Sequence, residues 1–184
     1  LTHIKTLTAS SSATVSFVNG SSGVVLDGTY PIYVFKFINI HPASNTVNFQ
    51  INASTDGGSN YNVTKTTTYF LAYHTENDSG YALQYYANRD LAQSTSAQQI
   101  VTIGNANDDS GSGTLTLYNP SSTTFVKHFM SRQQAPTGEA TQNCKDTYVA
   151  GYFNTQSAIN GVQFSMSSGN IDTGKIKLYG IKDS

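Results

Sequence analysis

Four histidines, one cysteine and 11 acidic side chains are the residues of this 184-residue chain whose chemistry could extend beyond packing. His3, His41, His74 and His128 lie far apart, and none stands at a metal-ligand spacing. His74 and Glu76 fall at the end of a strand-like run where one face could present both, but two ligands do not close a zinc site. Asn105, Asn107, Asp108 and Asp109 offer oxygen donors of the kind calcium favours, yet calcium takes roughly six to eight in a defined shell and no EF-hand spacing surrounds them. Asp56 in Asp-Gly-Gly and Asp172 in Asn-Ile-Asp-Thr-Gly read as turn formers. Glu76 with Asp78, or Glu139 with Asp146, could supply the paired carboxylates of a hydrolase, but nothing in the spacing sets either pair across a cleft. No Gly-x-Ser-x-Gly elbow is present, and Cys144, beside Lys145, has no identifiable histidine to activate it. The reading is a chain that is not an enzyme, with no catalytic residue, no metal site and no cofactor.

Phosphate chemistry is equally unsupported. Residues 19–23 and 110–113 are Gly-Ser turns without a Walker lysine or a following helix. Asn-x-Ser/Thr sequons stand at Asn19, Asn52, Asn62 and Asn77, as expected by chance in a chain where Ser, Thr and Asn fill 61 positions. Aromatic side chains are the remaining candidates. Tyr81, Gln84, Tyr85, Tyr86 and Asn88 form the densest aromatic and polar group outside the apolar runs. Such a group can bind a glycan, pack against a neighbouring subunit or cover the end of a domain, because tyrosine joins apolar area to a hydroxyl.

The elements that would carry these residues are strands. With 10 basic and 11 acidic residues and a net charge of −1, the chain has no electrostatic case for nucleic acid or an anionic membrane. No stretch reaches the roughly 18 continuous apolar residues of a membrane span. Twelve Tyr and nine Phe provide the apolar surface that a disordered chain lacks, and a single cysteine excludes an intrachain disulfide. Residues 30–40 are apolar at both parities, as where both faces are covered. In residues 45–52, Val47, Phe49 and Ile51 are expected to face in while Thr46, Asn48, Gln50 and Asn52 face out, and the short link through Pro42 makes a hairpin of the two runs the economical reading. Further strands are expected over 13–18, 66–73, 99–103, 113–118, 124–130, 147–153 and the two runs within 161–181. Residues 81–93 read as a strand followed by a loop, with a short helix through Leu83, Ala87 and Leu91 as the alternative.

Nine or ten strands without a long helix predict an all-β fold, an antiparallel two-sheet β-sandwich of jelly-roll-like form, with an immunoglobulin-like strand order as the alternative. Residues 1–12 are an N-terminal arm or an edge strand, and residues 13–184 form a single β-sandwich domain.

Residues 30–42, 45–58 and 162–181 resemble a group of small structural proteins of bacteriophage virions, those of marine phages in particular. The matching features are the aromatic strand ending at Pro42, the alternating run leading into Asp56-Gly57-Gly58, and the terminal Gly174-Lys175-Ile176-Lys177-Leu178-Tyr179-Gly180-Ile181. The resemblance implies a noncatalytic β-sandwich module located in the virion. Its expected role is tail-associated attachment or host recognition, in the manner of a tail fibre. The alternatives are capsid (head) decoration and a free carbohydrate-binding module. The implied partners are other virion proteins, symmetry copies of the chain in a homo-oligomer such as a trimer, and a host surface glycan, with no nucleic acid and no membrane insertion.

Overall fold

In a computed structural model, residues 1–137 and 142–183 are described. Their strands are β1 (Thr2–Ser12), β2 (Thr14–Val18), β3 (Ile32–Pro42), β4 (Val47–Ser54), β5 (Lys65–Thr75), β6 (Tyr81–Tyr85), β7 (Gln98–Ile103), β8 (Gly111–Tyr118), β9 (Lys127–Pro136), β10 (Asn143–Phe153), β11 (Gly161–Met166) and β12 (Ile171–Ile181). They form two antiparallel sheets, one of eight strands in the order β1-β12-β3-β8-β9-β10-β5-β6 and one of four in the order β2-β11-β4-β7.

The order contains a rule. β1 and β2, β3 and β4, β7 and β8, and β11 and β12 are each consecutive in the chain, yet the two members of every pair lie in different sheets. Four crossings therefore link the two sheets, and β7 at the end of the smaller one lies against β9 and β10 of the larger. The expected hairpin of residues 30–40 with 45–52 does not form. A hairpin would lay both alternating runs in one sheet. The crossing instead turns the inner side chains of β3 onto those of β4, with the Phe37 and Phe49 rings 5.2 Å apart. Thr46, at φ 52°, sits at the crossing, and Asn39, at φ 50°, lies at the irregularity of β3 between Phe37 and Ile40. At the neighbouring crossing from β11 to β12, Gly169 sits at φ 68°, and a Cβ there would stand 2.4 Å from Ser44 Oγ. Only glycine suits that corner on both grounds.

Between the two sheets lies an aromatic core. Phe164 of β11 touches Phe17, Phe35, Phe37 and Phe49 at centroid distances of 6.4, 5.3, 5.0 and 5.7 Å. Edge-to-face geometry dominates, the arrangement that ring quadrupoles favour. In the closing strand, Ile176 and Leu178 are buried, and a Cβ on Gly180 would meet the Tyr30 ring at 2.3 Å.

Residues 2–12 are the edge strand β1, paired along its length with β12. Residues 81–85 are a strand and not the start of a helix, and β6 is the opposite edge. The expected strand over 124–130 begins late. Ser122 Oγ accepts from the backbone N–H groups of Thr124 and Phe125, holding them in a turn before β9.

Candidate functional site

The four-stranded sheet covers only part of the inner face of the larger one, its last strand β7 lying against β9 and β10. The outer face of β9, β10, β5 and β6, turned away from the smaller sheet, carries the residues considered next. Residues directly opposite in an antiparallel pair share a face, so register alone assigns the side chains of that face. One transverse row reads Thr114, Arg132, Tyr148, Phe70 and Tyr85 across β8, β9, β10, β5 and β6. The next row toward one end holds Gln134, Asp146, Ala72 and Leu83, and the next toward the other holds Thr116, Met130, Ala150 and Thr68.

The aromatic row is locked by its own contacts. Phe70 and Tyr148 stack at 4.9 Å with an interplanar angle of 1°. That separation equals the spacing of neighbouring strands, about 4.8 Å, so the rings stand upright and cover each other's faces. Arg132 closes the other side of Tyr148 at 5.1 Å. Its guanidinium donates twice to Asp146, Nε to Oδ1 at 3.0 Å and Nη2 to Oδ2 at 2.7 Å, and the Tyr148 hydroxyl donates to Oδ2 at 3.1 Å. The Arg132 hydrogen bonds hold the Asp146 carboxyl below the usual carboxylate range. Desolvation, followed by the Asp146 hydrogen bond, pushes the Tyr148 phenol up.

Beside this wall the floor is low. Two adjoining concavities of about 270 and 450 Å³ share Met130 and Ala150. The first lies against Phe70, Arg132 and Tyr148, the second against Thr68, His128, Gly151 and Tyr152. His128 and Tyr152 meet edge to face at 6.4 Å and form the far wall, where Gln93 Nε2 donates to the Tyr152 hydroxyl at 3.3 Å. The result is a shallow groove across the strands, walled by rings and floored by small side chains, with Met130 57% exposed inside it.

The aromatic group chosen from the sequence is divided by the fold. Tyr81 and Tyr85 lie on the outer face, in register with His74 and Phe70. The Tyr85 hydroxyl donates to Asp90, which raises its pKa. Gln84 points to the opposite face and accepts from the Tyr86 hydroxyl at 2.5 Å. Tyr86 packs on the core edge, 6.2 Å from the Tyr69 ring and 4.7 Å from the Arg89 guanidinium. Asn88 sits exposed in the turn after β6. Strand period two, invisible in a contiguous cluster, makes the division. Arg132, Tyr148 and Phe70 were missed because they come from three strands.

The other candidates are dispersed. His74 Nε2 lies 3.0 Å from Asp78 in an exposed turn. Glu139 lies outside the described residues. The backbone carbonyl of Asp109 meets His41 Nδ1 at 2.7 Å, while its carboxylate accepts from Ala106 N–H at 3.2 Å. Asp56 accepts from Ser54 and Asn60, which hold its pKa at about 2. Among the described residues no group of three His, Cys, Asp or Glu side chains is placed to hold a metal ion. Compared with known proteins, the chain matches no family model, no curated protein and no solved structure.

Proposed function

We propose that the chain is a noncatalytic structural module of a bacteriophage virion, tail-associated, that attaches the particle to its host through the open face of the eight-stranded sheet. The observation that carries this reading is the transverse groove, whose walls are ring edges fixed by the Arg132–Asp146 pair and by Phe70–Tyr148 stacking. Interlocked side chains on a hydrogen-bonded sheet lose little freedom on binding, so a shallow surface of this kind binds without a deep cleft. The crossings of the chain between two sheets support a jelly-roll-like form, suited to an assembled and exposed position.

The groove also favours a host surface glycan as the ligand. Ring edges, the His128 imidazole and the Thr68 and Thr116 hydroxyls offer the mixed apolar and polar contacts that a sugar chain uses. A gold-tagged antibody against the chain is expected to mark the tail of intact particles. Labelling spread over the head overturns attachment in favour of decoration, and absence from purified particles overturns the virion reading. The isolated protein is expected to bind cells of the host bacterium, and Tyr152→Ala or Met130→Arg to abolish that binding with the fold retained. Undiminished binding by both variants overturns the assignment to this groove.

A further inference from the structure

We propose that two copies of the chain join edge to edge through β6, across a two-fold axis at Leu83, so that the eight-stranded sheet continues from one copy into the other. The backbone fixes which groups are free. Tyr86 N–H donates to Tyr69 at 3.0 Å, and Thr75 N–H donates to Gly80 at 2.9 Å. In an antiparallel ladder the hydrogen-bonded pairs alternate. The bonded pairs between those limits are therefore Leu71 with Gln84 and Tyr73 with Ala82. Tyr81, Leu83 and Tyr85 then direct their N–H and C=O groups away from β5, toward the open edge.

The same three residues carry the exposed side chains of the strand, Tyr81 at 76%, Leu83 at 74% and Tyr85 at 57%. β6 reads Tyr-Ala-Leu-Gln-Tyr, which is uncharged and has tyrosines equidistant from Leu83. A two-fold axis at Leu83 sets Leu83 against Leu83 and Tyr81 against Tyr85, all on the outer face. Each of these facing pairs is of the type that exchanges two backbone hydrogen bonds. The strand is thus complementary to itself, as an isologous contact requires.

The opposite edge is unlike this one, because β1 carries Lys5 and an irregularity between His3 and Lys5. Charge and irregular register are the means by which edges resist pairing, and β6 has neither.

This contact goes beyond the attachment reading, and its test does not depend on a host. Sedimentation of the whole chain is expected to give a monomer–dimer equilibrium. Leu83→Lys and Leu83→Glu, each placing like charges face to face, are each expected to weaken dimerisation by about tenfold or more. Mixing the two variants is expected to restore dimers as Lys–Glu pairs. In a Cys144→Ser background, Leu83→Cys is expected to cross-link on oxidation, since facing Cα atoms about 5.5 Å apart suit a disulfide. A chain that stays monomeric at millimolar concentration overturns the proposal. So does an oligomer that Leu83→Lys leaves intact, or a Lys–Glu mixture that stays monomeric.

Discussion

The eight-stranded sheet has two halves with the same strand geometry and different inner faces. Under the four-stranded sheet, β1, β12, β3 and β8 bury an almost wholly apolar face centred on Phe35, Phe37, Leu115, Ile176 and Leu178. At the margin of that sheet, where only β7 and connecting loops lie against them, β9, β10 and β5 bury Phe129, Phe153, Tyr69, Leu71 and Val149, but also Lys65, Thr67, Lys127, Ser131, Gln133 and Thr147. The difference lies in what covers them. A sheet arrives with its backbone already paired and needs only apolar contact. A loop brings unpaired carbonyls and N–H groups that must be satisfied. Lys65 Nζ donates to Ser96 O at 2.6 Å, Lys127 Nζ to Thr155 O at 3.0 Å, Gln98 Nε2 to Arg89 O at 3.0 Å, and Leu91 N–H to Thr67 Oγ1 at 2.8 Å. Lys65, Thr67 and Lys127 are thus partners of the covering chain, whereas Ser131 and Gln133 bond to Thr114 O within the sheet itself.

If this contrast holds, the largest loss comes from the apolar half. Phe164→Ala removes a ring that touches four others, and we expect it to cost about 3–5 kcal/mol in chemical denaturation. Tyr148→Ala, on the open face, is expected to cost about 1 kcal/mol, the worth of an exposed aromatic stack. Equal losses would mean that the covered half does not dominate stability.

The same contrast explains what the residues reveal before folding. Alternation in residues 45–52 gives the right inner side chains, Val47, Phe49 and Ile51, and fails only at Asn52, which is buried and donates to Thr95 O at 3.0 Å. Partnership is not legible from it, since the run of Tyr33, Phe35 and Phe37 alternates identically in a hairpin and in a crossing. In β9 the rule blurs. Phe129 and Ala135 point inward as polarity expects, but Met130 points outward while Ser131 and Gln133 point inward, where Gln133 Nε2 and Ser131 Oγ donate to Thr114 O at 3.0 and 3.2 Å. Polarity therefore leaves the faces of the strand that floors the groove undecided. Arg132 and Tyr148 stand 16 positions apart in the sequence, and only the β9–β10 register sets them side by side.

A second measurement separates a buried charge from a buried dipole. Lys65 is fully buried, and desolvation lowers its pKa from 10.5 to about 8. Between those values the unfolded chain holds a proton that the folded chain has released, so stability must rise with pH across that window. The rise is on the order of 3 kcal/mol, and below pH 8 the charged ammonium is carried as a penalty. Lys65→Met is expected to lose this rise. The difference between the two denaturation series isolates Lys65 from tyrosines that titrate nearby, Tyr33 among them, whose burial raises its own pKa. Parallel curves for wild type and variant would show that the Ser96 carbonyl compensates the charge in full.

The smallest effect tests whether every polar group under the loops has a partner. Thr147 lies on the inner face of β10, 1% exposed, and its Oγ1 is buried with no hydrogen-bond partner among the described residues. Thr147 pairs with Leu71 on β5 and Gln133 on β9, and Gln133 already directs its amide to Thr114 and Ser131. A hydroxyl without a partner pays its desolvation and receives nothing back, whereas valine fills the same volume without a polar atom. Thr147→Val is therefore expected to stabilise the fold by about 1 kcal/mol. Lys65 and Thr147 would then respond in the same direction for different reasons, one through a charge that has a partner and the other through a hydroxyl that has none. A loss of stability on Thr147→Val would instead place a hydrogen-bonded water at Oγ1 and make this half of the sheet fully satisfied.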